Sequence, residues 1–176
     1  MTRYHPLLVA LHWILAGLVI GALIMGSQVL AALPNDNPDK MFSLRAHMTV
    51  GLVIGALMLV RLVTRLKTPH PPKADAGNAL LNTGARAAHW GLYVLVLLMV
   101  ASGIGISITA GLPAIVFGGS GDPLPETFND LAPRAVHGII ATLLALTILA
   151  HIAGWLYHQF VLKDGLIRRM WFGPRG

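Results

Sequence analysis

A chain of 176 residues that is 55% hydrophobic and only 11% charged falls far below the roughly 25% charged residues of a soluble domain, which excludes an ordinary water-soluble bundle. Its net charge of +6 invites a nucleic-acid reading, but the apolar excess and the grouping of the bases beside apolar runs point to membrane topology, so no nucleic-acid partner is expected. With no cysteine, disulfides, thiolate catalysis and thiolate-held cofactors are excluded, and any metal must be held by nitrogen or oxygen.

Four apolar segments follow in chain order, about 7–33, 44–62, 85–112 and 135–162. Each suffices to cross a hydrocarbon core of roughly 30 Å, which needs about 20 helical residues. Backbone groups in lipid must be satisfied internally, and these runs are too long and unbroken for barrel strands. The expected fold is therefore an all-α transmembrane four-helix bundle, one domain over residues 1–176. The N-terminal stretch Met1 to Pro6 is too short and too weakly charged for a targeting region, so the first helix is expected to be retained. Turn-rich loops join the segments around Pro34 to Asp39, Lys67 to Pro72 and Phe117 to Pro123.

Ten bases (Arg3, Arg61, Arg65, Lys67, Lys73, Arg86, Lys163, Arg168, Arg169 and Arg175) lie at the N-terminus, in the second loop and in the tail, against Lys40, Arg45 and Arg134 on the other side. That asymmetry predicts both termini in the cytoplasm. The tail from Lys163 to Met170 reads as a basic interfacial segment meeting anionic lipid. Trp13, Trp90, Trp155 and Trp171 fall toward the same ends, as an interfacial aromatic belt does.

Ionisable groups inside a membrane are costly and mark functional sites, and histidine is a usual nitrogen ligand of haem iron. His12, His47 and His89 each lie about one turn into their helices, and His137, His151 and His158 share the fourth. His137 and His151 are fourteen residues apart, which places them roughly 21 Å apart along the axis and within about 40° of one face. One helix thus offers an axial ligand to each of two haems, one near each surface. Depth pairs His137 with His47 at the outer level. At the inner level either His12 or His89 can face His151, and spacing leaves that choice open. His158 lies about 10 Å nearer the cytoplasmic surface than His151, which suits a headgroup or small-molecule contact.

Zinc would need three or four ligands converging on one point, whereas these histidines divide between two depths. Gly51 and Gly55 continue the face of His47 and, with Gly103 and Gly105, suit either a porphyrin lying against the backbone or close helix pairs. Arg45 and Arg134 precede His47 and His137 by two and three residues. They are candidate partners for haem propionates or a small anion.

The combination resembles the bacterial cytochrome b561 family of small di-haem b-type membrane cytochromes. The residues that carry it are Tyr4 to Trp13 with His12-Trp13, Arg45-Ala46-His47, and Val60-Arg61-Leu62 through Pro69-His70-Pro71-Pro72. Ala88-His89-Trp90-Gly91-Leu92-Tyr93, His137, His151, His158 and Lys163 to Met170 complete it. The resemblance implies a bacterial inner-membrane protein with two haem b groups, one ligated by His47 and His137 and the other by His12 and His151. It places His89 beside the inner haem and His158 in a quinone neighbourhood. One branch of that family is similar to a superoxide oxidase, implying periplasmic superoxide as donor, with Arg45 and Arg134 attracting the anion, and the ubiquinone pool as acceptor. The alternative is a quinol-linked electron carrier or cytochrome subunit serving a protein partner.

Overall fold

A computed structural model describes residues 2–174, so Arg175 lies outside the described residues. Four long helices dominate: α1 (Pro6–Ile24), α2 (Pro38–Lys67), α3 (Ala79–Thr109) and α4 (Ala132–Leu156). Two of them continue in a π-helical turn, α1 through Met25–Leu30 and α4 through Tyr157–Leu162. With these turns the four are 25, 30, 31 and 31 residues long, all long and apolar enough to span a membrane.

Local chemistry explains the boundaries. Pro6, Pro38 and Pro133 occupy first-turn positions, where the missing N–H costs nothing. Asn37 caps α2 by accepting from the Asp39 N–H, and Asn78 caps α3 by accepting from the N–H groups of Leu80 and Leu81. These caps carry α2 and α3 six residues upstream of the apolar runs at 44 and 85, because capping, not hydropathy, decides where a helix starts. The first and third helices stop short of the expected 33 and 112. Lys40, buried at 5% exposure, donates from Nζ to the carbonyls of Leu30 (2.5 Å) and Leu33 (2.6 Å) and so closes the end of α1.

Close backbone approaches join α1 to α2, α2 to α3 and α3 to α4, whereas α4 stands further from α1 and α2. The main core cluster, Leu15, Val19, Ile54, Met58, Tyr93, Val96 and Leu144, draws on all four helices. Leu144 sits midway between His137 and His151, Ile54 seven residues beyond His47, and Val19 seven beyond His12. An apolar layer therefore separates two histidine levels. Large apolar side chains such as Leu52, Leu59, Ile139, Leu146 and Leu149 face outward, as hydrocarbon contact requires.

Gly55 belongs to helix packing rather than to an open cofactor face: a Cβ there would come within 3.0 Å of Val100 on α3. Gly51 has open space around it.

The tail is tied to the rest of the chain. The Tyr4 N–H donates to Arg169 O (3.1 Å), Trp13 Nε1 to Met170 O (2.9 Å) and Arg169 Nη1 to Pro72 O (2.6 Å), and Arg3 donates to the carbonyls of Trp171 and Phe172. N-terminus, second loop and tail thereby form a plate over one end of the bundle, called here the terminal end. At the opposite, distal end, Leu44, Leu112 and Val116 form a second small core.

Candidate cofactor site

The histidines of three helices converge on α4 at two levels. At the distal level the ring centres of His47 and His137 are 6.4 Å apart. At the terminal level His12 and His151 are 6.2 Å apart, and His89 and His151 5.0 Å. Two imidazoles sharing an axial metal have ring centres roughly 6.3 Å apart, since each metal–nitrogen bond is about 2 Å and each ring centre lies about 1.1 Å behind its ligating atom. Two of the three pairs have room for one metal ion between their rings, and the third is too close. The wider spacing of α4 from α1 and α2 falls between the same partners.

Hydrogen bonds orient several of these rings. Ser102 Oγ donates to Met99 O and lies 2.9 Å from His137 Nδ1. With the hydroxyl hydrogen committed, His137 Nδ1–H donates to Ser102 Oγ, leaving Nε2 with a free lone pair. A ligating histidine is held this way by its second ring nitrogen. A Cβ at Gly103 would touch the His137 ring at 3.4 Å, and one at Gly26 the His47 ring at 3.5 Å, so small residues seat both distal imidazoles. His47 Nδ1 is buried without a partner, a donor or acceptor awaiting a group. His89 Nδ1–H donates to Ala85 O (2.6 Å). Among the described residues no group of three or more histidine or carboxylate side chains surrounds one point. A tetrahedral metal needs such a group; a porphyrin iron needs only two axial ligands.

Comparison with known proteins decides the family. The profile of the prokaryotic cytochrome b561 family matches residues 3–173. The chain belongs to the prokaryotic cytochrome b561 family. Among its relatives, a probable superoxide oxidase CybB of Yersinia pestis is 28% identical over 99% of this chain and 98% of its own. A cytochrome b562 of Cereibacter sphaeroides is 30% identical over 95% and 94%, and a cytochrome b561 homolog of Escherichia coli is 27% identical over 96% and 90%. Membership in the cytochrome b561 family implies a b-type haem in a multi-pass inner-membrane electron-transfer protein, and the spacing of the two wider histidine pairs is compatible with an axially held iron.

The remaining candidates stand apart. Arg45 donates from Nε (2.9 Å) and Nη2 (2.6 Å) to Val116 O. It clamps the distal segment Pro113–Phe117 to α2, a tie that a motif beside His47 did not suggest. Arg134 makes no side-chain hydrogen bond among the described residues; its Nη1 lies beside Gly138. His158, buried at 8%, donates from Nδ1 to Asp164 Oδ2 at 2.6 Å, and Asp164 Oδ1 accepts from the Leu166 N–H. Asp164 sits between two left-handed residues, Lys163 (φ 53) and Gly165 (φ 66). Sequence reading missed Ser102 and Asp164; the signal for Ser102 was a hydroxyl in the apolar third segment at the depth of His137.

Partial burial pushes the Asp164 carboxyl up, but the His158 and Leu166 hydrogen bonds and the charges of His158 and Arg169 more than offset this, leaving it below its ordinary value. A lowered carboxyl stabilises the fold above the unfolded pKa of about 3.9 and loses that contribution as pH falls through the folded value. Asp164→Asn is expected to cost on the order of 1 kcal/mol at neutral pH, a modest figure because the side chain is a third exposed. In thermal unfolding followed across pH, wild type and variant should converge only below about pH 4; a constant gap down to pH 3 would contradict the pairing.

Proposed function

We propose that this protein is a di-haem b-type cytochrome that oxidises superoxide on the periplasmic side and reduces ubiquinone within the inner membrane. One observation carries the reading: α4 presents imidazoles at two levels, each 6.2–6.4 Å from a ring on another helix, with an apolar layer between. His47 and His137 would hold one haem, and His12 and His151 the other. When bound, the two haems supply one-electron transfer between the two membrane surfaces. His89, in contact with His151 and tied to Ala85, would wall the inner site.

The excess of bases at the terminal end supports a cytoplasmic placement for both termini, which makes the distal end periplasmic. There Arg134 offers an uncommitted charge to an anion, and Arg45 holds the covering segment in place. Two superoxide anions lose one electron each to become dioxygen, and ubiquinone takes two electrons and two protons. The His158–Asp164 pair lies at the opposite end, where the carboxylate holds the Nδ1–H side of the ring and leaves Nε2 as the atom that can take a proton from water and pass it on. Anionic lipid beside the basic terminal end is a further partner.

Stopped-flow mixing of the purified, haem-loaded protein with superoxide tests the reading. Rapid haem reduction followed by quinone-dependent reoxidation is expected. No reduction by superoxide, with reduction by quinol, would replace it with a carrier serving a protein partner.

A further inference from the structure

At the terminal end, cationic donors collect without a carboxylate. Arg61 donates from Nη1 to Leu8 O (2.5 Å), and its Cζ lies 5.8 Å from the centre of the Tyr93 ring. Arg65, one turn further along α2, lies 6.0 Å from the same ring and 5.7 Å from that of Trp90. Tyr93 is buried at 7% exposure; its hydroxyl stands close to Arg61 but completes no hydrogen bond of normal geometry. Arg61 is within electrostatic reach of His12, His89 and His151. Among the described residues the one ion pair is His158–Asp164, so no carboxylate answers either guanidinium.

A guanidinium carries five N–H donors and cannot shed its charge. One backbone carbonyl and an aromatic face compensate Arg61 only in part, and an uncompensated charge among apolar helices is costly. The missing component is an anionic oxygen. Haem propionates and lipid phosphates both offer one. Depth favours the propionate: Arg61 is half-buried at the level of the inner histidines, and the hydroxyl of Tyr93 is inside the bundle, whereas a lipid phosphate stays in the headgroup region.

We propose that Arg61, with Arg65 and the Tyr93 hydroxyl, binds a propionate of the haem held between His12 and His151. This rests on the di-haem reading above. The charge of Arg61 also favours the reduced form of that haem, because reduction removes a positive charge beside a fixed cation.

Redox titration in neutral detergent tests this, with haem counted per chain. The relevant haem is the one lost in His12→Ala. In Arg61→Met its ratio of reduced to oxidised forms at fixed ambient potential is expected to fall about tenfold, while the other haem is unmoved. Arg61→Lys should restore most of the shift. Arg65→Met and Tyr93→Phe should each shift the same haem by about threefold, and they keep the test alive if Arg61→Met does not fold. Loss of that haem in Arg61→Met, regained in Arg61→Lys, also supports the assignment. Unchanged titrations in all variants, with two haems bound, would overturn it and leave the di-haem reading intact. A shift seen only in vesicles containing anionic lipid assigns the cluster to lipid phosphate and overturns it equally. A colourless wild-type protein would overturn both.

Discussion

Replacing His151 with alanine is expected to halve the haem content of the purified protein. Its ring is the shared neighbour of the inner level, 6.2 Å from His12 and 5.0 Å from His89, so its removal takes away the ligand that α4 supplies there. His12→Ala should lose the same haem. His89→Ala should keep both, because 5.0 Å leaves too little room for a metal between two imidazoles, which need roughly 6.3 Å. At the distal level His47→Ala and His137→Ala should each remove the other haem. Pyridine haemochrome extraction against protein concentration gives the count. Retention of two haems in His12→Ala, with loss of one in His89→Ala, would exchange the roles of those residues.

Arg45 and Arg134 look alike in the sequence and are expected to fail differently. Arg45 gives two hydrogen bonds to the carbonyl of Val116, a residue with no exposed surface. Arg45→Met strands that carbonyl, at a cost of about 2–3 kcal/mol. The variant should therefore unfold earlier on heating and hold its distal haem less well. Arg134→Met breaks no protein hydrogen bond among those described, so stability should barely change. Its effect should fall on the approach of superoxide, slowing haem reduction about three- to tenfold at low ionic strength and less as salt screens the charge. Stopped-flow rates measured against salt separate the two. An Arg134→Met rate equal to wild type at low salt would place the anion's entry elsewhere.

Hydrophobic lengths identified the four spanning helices because the cost of exposing backbone in lipid leaves helices as the one solution for such runs. Their ends were less legible. Asn37 and Asn78 start helices six residues before the apolar runs, since a cap satisfies orphan N–H groups whatever the hydropathy beyond it. The basic character of Lys163 to Met170 was legible, but not its ties to the chain, because composition reports charge and not partners. In the structure its carbonyls at Met170 and Arg169 meet Trp13 and Tyr4, from the other end of the chain.

The sequence by itself determined the number of spans, the depth of each histidine along its helix and the family motifs, because helical rise and period are local and the same in every helix. Lateral relations were decided by the tertiary structure. Whether His12 or His89 stands a metal's width from His151, that Ser102 holds His137, and that Arg45 serves Val116 while Arg61 is left without a carboxylate all depend on how each helix is rotated about its own axis. Side chains from distant parts of the chain set that rotation by packing against one another, and no local period records it.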